Sequence, residues 1–211
     1  MIDLFTHGTP NGIKIAIALE EMGLPYRAHI IDVFAGESHT SQFRKMNPAG
    51  KIPVIRDTET NSTIYESNAI LMYLADKSGR LAPADTRAKL KMTQLLFLQA
   101  SLQGPMFGQR AHFSMFGPEI VPYAIRRYEE QGDVVDALVE DLLEGREFFL
   151  DEFSIVDISF FGWYLPANRS GFLKQDDSNL RHWFDRVAAR PAVRRGVAAT
   201  PEIPLPPRRR A

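Results

Sequence analysis

Asn47-Pro48-Ala49-Gly50-Lys51-Ile52-Pro53-Val54 puts a proline at the head of an apolar run. Proline cannot donate to a strand ladder, so Pro53 belongs at a sheet edge or a strand start. A cis Ile52–Pro53 bond at that point leaves the Ile52 N–H and C=O pointing outward, ready to pair with a peptide-like ligand. Taken alone, the run is equally an ordinary turn from loop to strand, and its flanks decide between the two. Upstream, Ile2–Phe5 reads as a first strand. Pro10 sits where a helix starts, Ile15, Ala18, Leu19 and Met22 form its apolar stripe, and Gly23 fits its stop. Tyr26–Val33 reads as a second strand and Ser38–Met46 as a short helix. Downstream, Ile52–Ile55 and Thr63–Tyr65 are strands joined by the polar turn Asp57-Thr58-Glu59-Thr60-Asn61. Asn68–Lys77 is a helix with Ile70, Leu71 and Leu74 on its apolar face. The order is β-α-β-α-β-β-α, which implies one sheet with mixed strand directions.

Beyond Gly79 the strand patterns stop. Gly79–Asp85 reads as a linker, Arg87–Leu102 as a helix and Gly104–Pro122 as a break rich in Gly, Pro and aromatics. Tyr123–Glu147 reads as a long charged amphipathic helix, Ser154 opens another, and Leu180–Ala189 is a shorter one. The expected organisation is an α/β domain over residues 1–79, a linker over 80–86 and an all-helical domain over 87–211 with a Pro/Arg-rich tail. Phe153-Ser154-Ile155-Val156-Asp157-Ile158 is a variant capping box, with Ser154 at the N-cap, Asp157 three residues on, and Phe153 and Ile158 at the staple positions. Asp157 is therefore expected to be a structural carboxylate.

The chain has 211 residues, 45% hydrophobic and 24% charged, which is ordinary globular usage and excludes disordered and collagen-like classes. A net charge of −1 gives no bulk pull toward nucleic acid or acidic membranes. The absence of cysteine excludes disulfides, thiolate zinc sites, iron–sulfur clusters and catalysis by a protein thiol. The N-terminus lacks a basic segment followed by an apolar run, and no stretch reaches the ~18 apolar residues of a membrane span. A cytoplasmic protein is expected. No phosphate-binding glycine loop, nucleophile elbow or H-E-x-x-H pattern occurs, and His7, His29, His39, His112 and His182 lack metal-ligand spacing. Residues 181–211 are predominantly basic and 81–180 predominantly acidic. Arg208, Arg209 and Arg210, behind Pro201, Pro204, Pro206 and Pro207, thus read as a solvated tail or a wrap against the acidic middle, rather than a nucleic-acid arm.

Two further stretches carry chemistry. Thr6-His7-Gly8-Thr9-Pro10-Asn11-Gly12 is a polar strand-to-helix turn. The N–H groups and dipole of a helix N-terminus stabilise a thiolate placed there, although Thr9 is sufficiently explained as an N-cap with Pro10 at the first helical position. In Tyr65-Glu66-Ser67-Asn68-Ala69-Ile70, Ser67 is a natural cap, but its hydroxyl and the N–H groups after it also make a carboxylate site. With Glu66 available for an ammonium, the pair matches the α-amino-acid end of a γ-glutamyl group.

The β-α-β-α-β-β-α order, Ile52-Pro53-Val54, Glu66-Ser67 and the all-helical second half resemble the cytosolic glutathione transferase superfamily over nearly the whole chain. That resemblance implies a thioredoxin-like domain plus a helical domain, a homodimer, and glutathione as co-substrate with no metal. Thr9-Pro10-Asn11-Gly12, then Lys14 and Leu19-Glu20-Glu21, resembles the Nu class, and the match extends to Gly104–Phe113 and Pro122–Tyr128. The Tyr, Ser or Cys with which many relatives activate the thiol is missing from the first turn. Phe5 stands at the corresponding strand position.

The resemblance implies a glutathione-dependent disulfide-bond reductase, with glutathione or its disulfide and a small disulfide as ligands. The alternatives are a conventional transferase joining glutathione to electrophiles, with some peroxidase activity, and a non-catalytic glutathione-binding or regulatory protein. It makes Thr9 the hydroxyl donor to the glutathione sulfur and Asn11 an orienting donor. Glu66 and Ser67 hold the γ-glutamyl end, Ile52 before Pro53 the cysteinyl backbone, and Lys51 the glycyl carboxylate. Ser38 stands in for a family Gln or His, and Arg127 matches a family arginine reaching toward glutathione from the helical domain, or is a surface charge. Phe107, Gln109, His112, Phe113 and Phe116 are the acceptor-side candidates, at a spacing equally typical of plain core.

Overall fold

The computed structural model describes residues 1–176 and 178–208, so Arg209 and Arg210 of the basic tail lie outside the described residues. The first half runs β1 (Ile2–Thr6), α1 (Pro10–Met22), β2 (Tyr26–Ile30), α2 (Ser41–Arg44), β3 (Val54–Asp57), β4 (Ser62–Tyr65) and α3 (Ser67–Ser78). The sheet order is β2-β1-β3-β4. β1 and β2 are parallel, as the α1 crossover requires, and β3 is antiparallel to both β1 and β4. This is the mixed sheet expected from the strand and helix patterns, in the thioredoxin-like arrangement that the resemblance implies. Leu4, Ile15, Ile17, Leu19, Ile55 and Ile70 are fully buried and form its core.

Local chemistry sets the boundaries, and some differ from the periodicity. β2 stops at Ile30 rather than Val33 because Asp32 Oδ1 accepts the N–H groups of Phe34 and Ala35, both at 2.9 Å, and turns the chain off the sheet. The helix expected over Ser38–Met46 is split into a 3₁₀ turn (Glu37–His39) and α2, because Thr40 is extended and caps α2 through the Phe43 N–H. β3 starts at Val54, after Pro53, which has no N–H to offer.

The helical half runs α4 (Thr86–Leu98), a wide π turn (Gln99–Gln103), α5 (Gly104–Ala111), a second π turn (His112–Phe116), α6 (Pro122–Leu142), α7 (Ile155–Arg169) and α8 (Asn179–Ala189). The break expected to begin at Gly104 is therefore helical as far as Phe116. Pro105 occupies the first turn of α5, directly after the π turn. The π turn ahead of it is tied down by buried polar pairs. Gln99 donates to Gln103, Gln103 to the Phe160 carbonyl, and Ser159 of α7 to Gln99. The Ser154–Asp157 capping box is present at the start of α7, and Asp157 also accepts from the Trp183 indole.

Besides α5, the helix α9 (Pro191–Ala198) has no counterpart among the elements expected from the sequence. Residues Met1–Ala82 and Ala188–Ile203 form one compact unit; Pro83–Val187 and the segment from Pro204 onward form another. α9 thus packs within the first unit, on α1, although a contiguous helical domain over 87–211 was expected. A Cβ on Gly196 would sit 2.5 Å from Ile17 Cα, so only glycine lets the two helices approach this closely. Glu21 takes a bidentate pair from Arg190 at 2.7 and 2.8 Å, and Glu20 pairs with Arg195. Within the second unit, Arg208 makes the contact expected of a wrapping tail. It pairs with Glu129 of α6 at 3.0 Å and stacks on Phe172.

Candidate functional site

The register of the sheet gathers three segments at one end. Phe5 of β1 lies opposite Val54 of β3, which lies opposite Tyr65 of β4. The turn that follows β1, the Ile52–Pro53 step that precedes β3 and the Glu66–Ser67 pair that follows β4 therefore leave the sheet side by side.

In the first segment Thr9 is extended and caps α1, its Oγ1 accepting the Gly12 N–H at 3.2 Å. A threonine hydroxyl has one proton and two lone pairs, so capping leaves its O–H able to donate. The turn is tight: the Thr9 N–H reaches back to the His7 carbonyl at 2.8 Å, and the Gly8 N–H donates to His7 Nδ1 at 2.9 Å. A Cβ on Gly12 would lie 2.2 Å from the His7 carbonyl oxygen and 2.5 Å from Thr6 Oγ1. Glycine is what lets this turn close against α1.

At the start of α3 the structure corrects one expectation. Ser67 is not the cap; it is the first helical residue, and Glu66 stands at the N-cap position with φ 70°, a conformation uncommon outside glycine. The Ser67 hydroxyl accepts from Lys14 Nζ at 3.3 Å and donates to Asn11 Oδ1 at 3.5 Å. Glu66 is exposed and Ser67 half-buried. Lys14 is 1% exposed, and burial pushes its ammonium down to about pKa 7 against an upward pull from Glu66.

In the third segment the Ile52–Pro53 bond is cis. The buried Asn47 shapes the approach to it, accepting the Ala49 N–H at 3.1 Å and donating to the Lys51 carbonyl at 2.7 Å. Gly50, at φ 63°, lies against the carbonyl of the buried Ser38, so Ser38 sits beside this turn. Lys51 is exposed and Ile52 half-buried.

Comparison with known proteins fits this arrangement. Residues 9–77 match the Glutathione S-transferase, N-terminal domain family. Over 199 residues, 92% of the chain and 93% of the relative, the chain is 35% identical to disulfide-bond oxidoreductase YfcG of Escherichia coli (strain K12). The chain belongs to the glutathione transferase family. A glutathione transferase from Burkholderia graminis, with two glutathione molecules bound per subunit, superposes with a TM-score of 0.86 at 34% identity, over 94% of this chain and 88% of that one. One from Pseudomonas putida, with one glutathione disulfide bound per subunit, superposes at 0.85 and 32% identity, over 93% and 90%.

Elsewhere in this glutathione transferase the expected residues are dispersed. Phe107 is buried in the helical unit, edge-on to Tyr164 and under the Arg110 guanidinium. It is core there, while Gln109, His112 and Phe116 are exposed. His112 and Phe113 do meet, edge to face, and Phe113 stacks on Tyr128. Arg127 is exposed on α6. No group of three or more His, Asp or Glu side chains among the described residues could hold a metal ion, and no helix there is long and apolar enough to cross a membrane. Two residues of the site had no assigned role in the sequence reading, Asn47 and Lys14. The signal for Lys14 was present: it is the one charge in the otherwise apolar run Ile13–Leu19.

Proposed function

We propose that this chain is a glutathione-dependent disulfide-bond reductase in which bound glutathione supplies the thiol. The observation that carries the reading is Thr9 at the N-terminus of α1. It accepts the Gly12 N–H yet keeps a proton to give, in a chain with no cysteine of its own. Relatives named disulfide-bond oxidoreductases, at 35% and 32% identity, support it.

In the reaction, a glutathione thiol held over the α1 N-terminus loses its proton to solvent. The thiolate attacks one sulfur of the disulfide in line, forming a glutathione mixed disulfide and expelling a thiolate that takes up a proton. A second glutathione thiolate attacks the glutathione sulfur of that mixed disulfide. Glutathione disulfide forms and the second thiol leaves. Two glutathione thiols are oxidised and one disulfide is reduced. Thr9 donates to the attacking or departing sulfur and Asn11 orients it, as pre-organised donors do at developing charge. Glu66 takes the ligand ammonium, Ser67 its carboxylate, Ile52 beside Pro53 the cysteinyl backbone and Lys51 the glycyl carboxylate, with Ser38 next to that turn. The same reading includes a cytoplasmic homodimer.

The test is turnover of a small hydroxyalkyl disulfide by glutathione, run beside conjugation of chlorodinitrobenzene. Disulfide turnover well above conjugation is expected. Fast conjugation with negligible disulfide turnover would make the chain a conventional transferase, and neither activity together with retained glutathione binding would make it a binding protein.

A further inference from the structure

We propose that Lys14 is a positioning residue of this site: its buried ammonium, donating to Ser67, is the counter-charge for the carboxylate that Ser67 receives. The proposal rests on the glutathione reading above and deepens it.

Three observations lead there. Lys14 lies on the buried face of α1 at 1% exposure, where a side chain with a full charge stays only if that charge is answered. Its Nζ stands 3.3 Å from Ser67 Oγ, at the first residue of α3, the positive end of that helix. A cation is disfavoured at a helix N-terminus and an anion favoured, so ammonium and dipole together ask for negative charge at one point. Finally, Ser67 also reaches Asn11. The contacts Lys14–Ser67–Asn11 thus run from the carboxylate end of the site toward the turn that opens α1.

The charged groups on the elements around α1 are engaged as follows. Glu66, at the β4–α3 junction, is the charge that favours the protonated lysine. On α9, Arg190 and Arg195 are held by Glu21 and Glu20. On β1, Asp3 is held by His29 and Arg56. When Glu66 turns to a ligand ammonium, Lys14 loses part of its counter-charge, and the ligand carboxylate arriving on Ser67 replaces it. Free protein near neutral pH divides Lys14 between its two protonation states. A bound carboxylate favours the charged one, so binding takes up protons.

S-Methylglutathione, which has no thiol to titrate, is the probe. Calorimetric titration at about pH 8 in two buffers of different ionisation enthalpy reads the proton count. Wild-type protein is expected to take up most of a proton per ligand. Lys14→Met is expected to take up none and to bind roughly tenfold or more weakly. In turnover, its KM for glutathione rises while kcat stays within about twofold. Lys14→Gln provides a second uncharged variant, and the wild-type uptake is read with no variant at all. Wild-type binding without proton uptake, or Lys14→Met binding like wild type, would overturn the role of Lys14 and leave the glutathione reading intact. Failure of wild type to bind the probe would remove both.

Discussion

Thr9 Oγ1 accepts the N–H of Gly12 at 3.2 Å, so the side chain that opens α1 uses a lone pair for the helix and keeps its proton for a ligand. The two roles separate by substitution. Thr9→Ser retains both, and wild-type stability and turnover are expected. Thr9→Asp retains the cap but has no proton to give and repels a thiolate. Its melting temperature should stay near wild type while disulfide turnover falls by roughly tenfold to a thousandfold. Thr9→Ala loses both, with a stability loss of about 0.5–2 kcal/mol. Thermal melts beside the turnover assay read all three. A fully active Thr9→Asp would reduce Thr9 to a cap.

What could be read from the sequence follows from the range of the forces involved. The ends of α1 were legible because Thr9, Pro10 and Gly23 act on their own backbone, and the Ser154–Asp157 box for the same reason. The site segments were legible as motifs, since register places them together once the strand order is known. Gly104 and Pro105 misled because their breaking tendency is local, whereas the π turn before them is held by Ser159 and Phe160 from a distant helix. α9 was missed because its stability comes from the face of α1, some 180 residues earlier. Ser67 was read as a cap because caps favour serine, and nothing local places Glu66 at positive φ. Lys14 had no role in the motif, because only the packing of α1 makes it buried.

The Asp157 carboxylate is expected to make stability depend on pH. Burial pushes its pKa up from 3.8 to about 6, although Trp183 Nε1, the N–H groups of Ser154 and Phe149, and the Ser154 hydroxyl all favour the charge. The folded state therefore holds this proton more tightly than the unfolded chain. Its contribution to stability is complete below about pH 4 and is lost as pH rises through about 6. Trp183→Phe removes the donor 2.8 Å from Oδ1, raising the folded pKa further and enlarging the loss. About 1.5–3 kcal/mol of destabilisation from the missing bond is expected at pH 7, beyond whatever packing cost is measured at pH 4. Urea unfolding at both pH values separates the two. An equal loss at pH 4 and pH 7 would mean that Trp183 matters only as a space-filling ring.

Asp57 is expected to act in the opposite direction. Burial alone would raise its pKa, but the Tyr73 hydroxyl at 2.6 Å, Lys77 Nζ at 2.9 Å and the Glu59 N–H at 2.9 Å outweigh it and hold the carboxyl down to about 2. Here the unfolded state binds the proton more tightly. The contribution is present above about pH 4 and is lost as pH falls toward 2. Tyr73→Phe should cost about 1.5–3 kcal/mol at pH 7 and move acid unfolding to higher pH. Circular dichroism followed down an acid titration measures that midpoint. An unchanged midpoint would show that the hydroxyl contributes nothing to the charged form of Asp57.

The contact between α9 and α1 is expected to matter for ligand binding as well as for stability. A Cβ at Gly196 would come within 2.6 Å of both the N and Cα of Ile17, which are backbone atoms that cannot rotate away. Gly196→Ala therefore has to lift α9, weakening the bidentate Glu21–Arg190 pair and the Glu20–Arg195 pair at 2.8 Å. A loss of at least about 3 kcal/mol is expected. Arg195→Ala, which breaks only the more exposed pair, should cost about 1 kcal/mol or less. Because α1 carries Asn11 and Lys14 and starts at the Thr9 cap, a shift of α1 also displaces the residues assigned to glutathione. Gly196→Ala is thus expected to bind S-methylglutathione more weakly than wild type at a temperature where both are folded, whereas Arg195→Ala should match wild type. Equal affinity in a destabilised Gly196→Ala would show that α9 props up α1 without setting the position of its first turns.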